Sequence, residues 1–159
     1  MASDIFLKIG DIKGESNDDR HREQIVGLEW SWGASAQLVP NQGGGAGVGK
    51  TSFRDLSFTH LYDKASPLLM KACATGQHMP EATLTARRRG QGQQDFLIIK
   101  MMDVIVTSVA PSAEAETSIR EIVTLRFAKV DLSYSAQKGD GSLDTPTQFR
   151  YDINANKPL

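Results

Sequence analysis

Apolar side chains recur at every second position through much of this chain, which is the period of a β-strand with one buried face. Residues 81–87 show the pattern clearly, because Ala82, Leu84 and Ala86 alternate with threonine and arginine. Similar signals predict strands at residues 5–9, 25–33, 51–60, 119–134 and 147–153, and a run that is apolar on both faces predicts a long covered strand at residues 95–109. Strands in this number, separated by turn residues, predict a mainly β domain, either a sandwich or a barrel.

The segment at residues 25–33 has one apolar face and one small or polar face. The apolar face, which we expect to lie in the core, comprises Val26, Leu28, Trp30 and Trp32. The opposite face carries Glu29 and Ser31 between glycines. A face of this composition is typical of a wall turned toward water, such as the side of a groove or a channel.

The apolar positions of residues 119–134 change parity within the segment. Val123, Leu125 and Phe127 are odd-numbered, whereas Val130 and Leu132 are even-numbered. Such a change requires a β-bulge or a switch of the buried face, as at the corner of a barrel.

One segment, residues 66–75, carries helical signals. Ser66 and Pro67 are suited to the N-cap and first position of a helix, and Gly76 is suited to its C-terminal end. The expected packing face comprises Leu69, Ala72 and Cys73. We therefore predict a short helix that flanks the strands.

Residues 44–51 read GGAGVGKT and match the phosphate-binding pattern G-x-x-x-x-G-K-[ST]. That pattern binds phosphate where a strand enters the loop and a helix leaves it. Here residues 51–60 have the strand period, so the order is strand, loop and strand, and the nucleotide interpretation loses its physical basis. The whole stretch of residues 34–50 is expected to be a long extended loop, and loops of this length are usually functional or disordered.

Charge and cysteine content argue against several classes of protein. The chain carries 18 basic and 19 acidic residues, which gives no general attraction to nucleic acid or to an anionic membrane. The basic run at residues 87–89 is expected to be a solvated hairpin end. The single cysteine, Cys73, excludes an intrachain disulfide, as in a protein that folds in a reducing cytoplasm. We recognise neither a secretory signal nor an apolar span of about 20 residues, and so expect no membrane insertion.

The candidate catalytic and metal-binding residues form no convincing constellation. His21, His60 and His78 lack the spacing of a metal motif. The acidic pair at residues 18–19 lies close to His21 in a polar segment that we expect to be a solvated turn. Cys73 lies near His78 in the sequence but on the packing face of the predicted helix, as a structural thiol would. We predict no enzymatic activity, no cofactor and no metal site.

Several stretches, taken together and in order, resemble the haemolysin-coregulated protein (Hcp) family of bacterial type VI secretion. They are IFLKIGDIKGES at residues 5–16, LEWSWG at 28–33, LSFTHLYDKASP at 56–67, ACATGQHMPEATLTARR at 72–88 and YDINAN at 151–156, with the glycine loop ending in GK between the second and third. The resemblance runs along essentially the whole chain, and its specificity comes from the order and spacing of the pieces.

The resemblance implies a fold and an assembly. The fold would be a single domain of residues 1–159, a closed antiparallel β-barrel of two sheets with one short flanking helix and an extended glycine-rich loop. Six copies would form a ring, and rings would stack into the inner tube of a contractile injection machine. Its other parts would be a spike protein at the tip, a contractile sheath and a baseplate. The protein would be cytoplasmic before assembly and then secreted without a cleaved signal, and small effector proteins could be held in the lumen.

The resemblance also implies where the functional residues lie. The extended loop would contact neighbouring subunits through Gln37, Leu38, Val39, Gly43, Gly44, Gly45, Gly47, Gly49, Lys50 and Thr51. Alternation against Trp30 and Trp32 makes Glu29 and Ser31 our candidates for the wall that faces the lumen and its effectors, and the alternative is that Ser31 faces solvent outside the ring.

Two other functions were weighed against this one. The first is a small nucleotide-binding or nucleotide-hydrolysing enzyme that uses residues 44–51. The second is a monomeric β-barrel binding module that uses the region of Trp30 and Trp32.

Overall fold

The computed structural model of the protein describes residues 2–40, 46–90 and 92–159. Within these residues the chain forms ten strands and one helix. In chain order they are β1 (Ser3–Ile9), β2 (Ile25–Ser31), β3 (Ala34–Pro40), β4 (Ala46–Phe53), β5 (Leu56–Leu61), α1 (Ser66–Thr75), β6 (Met79–Arg88), β7 (Asp95–Ser112), β8 (Arg120–Tyr134), β9 (Thr147–Asp152) and β10 (Lys157–Pro158).

Six of the strands close into an antiparallel barrel. Their order around the barrel is β8-β5-β2-β1-β6-β7, and the pairing of β7 with β8 closes it. Strands β9 and β10 extend the sheet from β8, while β3 and β4 form a second, two-stranded sheet. The prediction of a mainly β fold built on a closed antiparallel barrel is confirmed.

The long strand β8 joins the barrel to the C-terminal strands. Along one edge it pairs with β7 from Ser112↔Arg120 to Leu97↔Tyr134. Along the other edge residues 120–125 pair with β5, and residues 129–134 pair with β9. One strand therefore belongs to the barrel wall at its start and supports the outer strands at its end.

The predicted change of the buried face in β8 is present, and it marks a corner of the barrel. The neighbouring strand β7 changes its buried face at the same corner. The odd-numbered apolar residues up to Phe127 are buried, and the next buried position is Val130. In β7 the buried positions change parity at Asp103, whose φ of 55° lies in the left-handed region. The register between the strands is the same on both sides of this point, so the two strands exchange their buried faces together.

The prediction for the core face of β2 is wrong in its first half. Val26 and Leu28 are 46% and 43% exposed, whereas Ile25 is fully buried. The cause is a register shift between Gly27 and Glu29, because one extra residue turns every later side chain to the opposite face. The prediction holds after the shift, since Trp30 is partly buried against the core.

The predicted helix is α1, which spans the expected residues but has a different N-cap. Ala65 is its N-cap, and the Ser66 hydroxyl instead accepts a hydrogen bond from the backbone N–H of Asp63, at 3.1 Å. Gly76 ends the helix in the left-handed conformation, with φ of 64°, as predicted. Leu69 is fully buried in the barrel core. In the described parts of the chain, no helix has the length and apolarity needed to span a bilayer.

The stretch expected to be a structureless loop forms an antiparallel ribbon of β3 and β4, which we call the arm. The two strands pair from Ala34↔Phe53 to Pro40↔Ala46, and residues 41–45 lie outside the described residues. Small residues and glycines are poor strand formers by propensity, so the sequence of the arm lacks the usual strand signal. Pairing nevertheless satisfies the backbone hydrogen-bonding groups that the two strands turn toward each other.

Candidate assembly surfaces

The arm carries most of the residues expected at a subunit contact. Seven of them lie in its strands: Gln37, Leu38 and Val39 in β3, and Gly47, Gly49, Lys50 and Thr51 in β4. Gly43, Gly44 and Gly45 fall outside the described residues. Leu38 is 69% exposed, and among the described strands the arm pairs only with itself. Exposed edges and an exposed leucine give a partner both backbone groups and an apolar side chain to contact.

The nucleotide interpretation of residues 44–51 fails on local structure. Strand β4 runs from Ala46 to Phe53, so a strand occupies the positions where the helix of a phosphate-binding loop would begin. Lys50 is exposed and Thr51 is half-buried within this strand. A β-ladder therefore stands where convergent N–H groups at a helix N-terminus would have to hold the phosphate.

Four aromatic rings meet where the arm joins the barrel. The ring of Trp32, which follows β2, lies 6.0 Å from that of Phe53 in β4 and 5.8 Å from that of Phe127 in β8. The Phe53 ring also lies 5.2 Å from that of Tyr151 in β9. Aromatic pairs at such distances contribute beyond the area they bury. The base of the arm is thus packed against both the barrel and the C-terminal strands.

The candidate lumen residues lie on the outer face of the barrel, along β2 and its neighbour β5. Glu29 and Ser31 are both exposed, and Glu29 accepts a hydrogen bond of 3.1 Å from the hydroxyl of Thr59. They line a shallow groove of about 290 Å³, together with Ser57 and Ile122. Apolar residues, namely Trp30, Phe58 and Ile122, line the groove beside the polar ones, so it is less polar than the sequence predicted. Its place in an assembly stays a prediction.

A buried histidine–glutamate pair lies in the core, where sequence analysis placed no site. His60 in β5 and Glu121 in β8 are cross-strand partners and are both fully buried, with 2.8 Å between Nε2 and Oε1. The carboxylate of Asp63 lies 3.6 Å from the other ring nitrogen. Burial by itself lowers the pKa of His60, but the two carboxylates outweigh it and the pKa is raised. The signal available in the sequence was that His60 and Glu121 each occupy a position where their strand alternation predicts a buried side chain.

A second buried charge, Arg87, fixes the segment between β1 and β2 onto the barrel. Its guanidinium donates to Asp18 at 2.7 Å and to Asp4 at 3.3 Å, and it lies 4.9 Å from the ring centre of Phe6. The hydrogen bond from Arg87 lowers the pKa of Asp18 to about 2. Arg89 also pairs with Asp4, at 2.8 Å. The basic run was expected to be a solvated hairpin end, but its first arginine is buried and held by acidic partners.

Each of the remaining histidines contacts an aspartate, and the cysteine packs against the core. His21 lies 3.1 Å from Asp95, and His78 lies 3.0 Å from Asp103. Cys73 is partly buried against the core, as the predicted packing face of α1 required. In residues 2–40, 46–90 and 92–159, no three His, Cys, Asp or Glu side chains come together in a way that could hold a metal ion.

Comparison with known proteins gives concordant results in sequence and structure. A family model described as "Type VI secretion system effector, Hcp" matches residues 6–134. Protein hcp1 of Pseudomonas aeruginosa is 46% identical over 159 residues, covering 98% of this chain and 98% of that protein.

Two solved structures show the same fold over their full lengths. A structure described as a type six secretion system protein has a TM-score of 0.93 at 26% identity, covering 99% of this chain and 100% of the other. Hcp1 from Salmonella typhimurium has a TM-score of 0.79 at 37% identity, covering 100% of both chains. Both alignments extend over nearly every residue of this chain.

Proposed function

The chain belongs to the Hcp family of type VI secretion proteins, and from this premise we propose that it is the structural subunit of the secretion tube. Six copies form a ring, the rings stack, and the tube is expelled with the spike protein at its tip after the sheath contracts on the baseplate. The subunit is made in the cytoplasm and leaves through the machine itself. Its role is mechanical and not catalytic.

The observation that carries this proposal is the arm. It packs on its own barrel through the aromatic rings at its base, while Leu38 farther along is exposed. Unpaired edges of a ribbon promote uncontrolled pairing in a lone molecule. In an assembly a neighbouring subunit can cover them. A ring needs contacts between two different surfaces of the same chain, and an arm that meets a neighbouring barrel supplies such a contact.

The proposal is tested first by the mass of the purified protein in solution. We expect light scattering coupled to size-exclusion chromatography to give about six times 17.4 kDa. Leu38→Asp, which buries a charge if the arm is covered by a neighbour, should shift the protein toward the monomer. Leu38→Met is the matched control and should keep the ring. A wild-type monomer at every concentration tested would reject the tube mechanism.

We further propose that the groove with Glu29 and Ser31 forms part of the lumen wall and contacts small effectors. Ser31→Arg should then keep the mass of the ring while reducing retention of a co-expressed small effector by about tenfold or more, since a bulky charge fills the contact. Ser31→Ala is the control and should retain the effector. Loss of the ring in Ser31→Arg would place this residue at a subunit contact instead, and unchanged retention would place it outside the ring.

A further inference from the structure

The arm is joined to the barrel by two very short links. Trp32 and Gly33 connect β2 to β3, and Arg54 and Asp55 connect β4 to β5. Two hydrogen bonds of 2.9 Å tie these links to each other: the N–H of Arg54 donates to the carbonyl of Gly33, and the indole N–H of Trp32 donates to the carbonyl of Arg54. Bonds between the links keep the ribbon together but do not fix its angle to the barrel wall.

Asp55 makes polar contacts between the second of these links and the barrel wall. One carboxylate oxygen accepts a hydrogen bond of 2.8 Å from the hydroxyl of Thr107 in β7, and the other lies 3.1 Å from Nε of Arg126 in β8. Thr107 is the extra residue of a bulge, because the register of β7 and β8 shifts between Val106 and Ser108. Bulges re-aim side chains, and this one presents a hydroxyl to the arm's second link.

The hydrogen-bond chain behind Asp55 has a defined direction. Thr107 has one hydroxyl proton, and a carboxylate is a stronger acceptor than a neutral oxygen, so that proton goes to Asp55. The hydroxyl of Thr124, 2.7 Å away, then donates to Thr107. The ion pair with Arg126 is weaker, since that side chain is 67% exposed. The chain from Thr124 through Thr107 to Asp55 is therefore the stronger of the two polar contacts that Asp55 makes with the wall.

We propose that Asp55, held by Thr107, is a positioning residue that sets the angle of the arm before any neighbour binds. The inference rests on the proposed function, because a fixed angle matters only if the arm meets another copy. Aromatic packing also supports the base of the arm, through Trp32 on Phe127 of β8 and through Phe53 on Tyr151 of β9. The arm thus reaches a neighbour already in its binding orientation, which removes an ordering cost from assembly.

The size of the effect follows from the population of the binding-competent arm. An apparent dissociation constant equals the intrinsic one divided by the fraction of molecules in the competent state. If loss of the Asp55 contact leaves the arm correctly oriented for about a tenth of the time, the concentration needed for assembly rises about tenfold.

The experiment measures arm motion and assembly in the same variants. A spin label is placed on the exposed arm position Ala36, which is not one of the proposed contact residues, as Ala36→Cys in a Cys73→Ser background, and its mobility is read in the unassembled protein. The variants are Asp55→Ala and Thr107→Val, and the control is Ile99→Val, a core change expected to cost thermal stability without touching the arm. We expect the first two to mobilise the label and to raise the assembly concentration about tenfold. Ile99→Val and Arg126→Ala should leave the mobility of the label and the assembly concentration close to those of the wild type.

Each possible outcome bears on one of the two proposals. A mobilised label in a protein that stays monomeric throughout would keep the positioning role and reject the tube mechanism. An immobile label in Asp55→Ala would overturn the positioning role, whatever the assembly does. The positioning role is also overturned if Ile99→Val and Asp55→Ala lower the melting temperature equally and impair assembly equally. In that case Asp55 would act only through stability.

Discussion

Replacing Glu121 with alanine is expected to lower the free energy of unfolding by about 3–5 kcal/mol. The change leaves His60, which is fully buried, with only the more distant carboxylate of Asp63 at 3.6 Å, and it opens a cavity between β5 and β8. Removing one member of a buried pair costs more than the pair contributes, since the remaining polar group stays out of water. Urea denaturation at a fixed protein concentration measures the effect, because self-association also changes apparent stability.

The same pair makes stability depend on pH in a predictable direction. The pKa of His60 is raised above its usual value of 6.5. A group of this kind contributes its full stability below pH 6.5 and loses it as the pH rises through the folded-state pKa. The free energy of unfolding should therefore fall above pH 6.5, by at most about 1.4 kcal/mol per pH unit.

Glu121→Gln is the matched control for this prediction. Its amide oxygen can still accept from His60, so we expect a smaller loss of stability than in Glu121→Ala. One of the two carboxylates that raise the pKa is gone, so the fall above pH 6.5 should also be shallower. Equal pH slopes in the wild type and in Glu121→Gln would show that this carboxylate does not raise the pKa of His60.

Replacing Arg87 with alanine is the second change expected to have a large effect, again about 3–5 kcal/mol. The side chain is 4% exposed and bonds to Asp4 and Asp18, so its loss leaves two carboxylates without their main buried partner. It also removes the contact with Phe6 and frees the segment between β1 and β2. Thermal unfolding at neutral pH is the direct measurement.

The acid limb of the stability curve provides a second readout of the same contact. Arg87 lowers the pKa of Asp18 from 3.8 to about 2, so this contribution is complete above pH 3.8 and is lost as the pH falls through about 2. Arg87→Ala should lose stability less steeply over that window than the wild type does. Arg89→Ala is the control, because Arg89 pairs with the same Asp4 but is 63% exposed, and it should cost at most about 1 kcal/mol. Similar losses in the two variants would contradict the importance of burial.

Local periodicity predicted the strands of the barrel and its corner, but residues 51–60, predicted as one strand, are divided at Arg54 and Asp55 between β4 and β5. The parity change between Phe127 and Val130 is a property of consecutive residues, so it can be read without knowing what the strand packs against. The same holds for α1, whose end is fixed by Gly76. Features of this kind depend on the chain within a few residues.

The features that could not be predicted depend on contacts between distant parts of the chain. The bulge after Gly27 is set by pairing with β5. Apolar and polar residues continue to alternate across it in the sequence, so nothing in the sequence marks its position. His60 and Glu121 lie 61 positions apart, so the sequence does not show that they pair. It does show that each occupies a position of its strand that faces the core. The arm was missed for the opposite reason, because its small residues carry almost no strand signal.

The place of β8 in the barrel also sets an order in time. During synthesis β5 is complete at Leu61, but the strand that covers its second edge begins only at Arg120. At roughly 5–20 residues per second, those roughly 60 residues correspond to several seconds in which the nascent barrel cannot close. Until then β5 and the early strands present open edges to the ribosome surface and to other nascent chains. A chain with this topology can close its barrel only after β8 has been made.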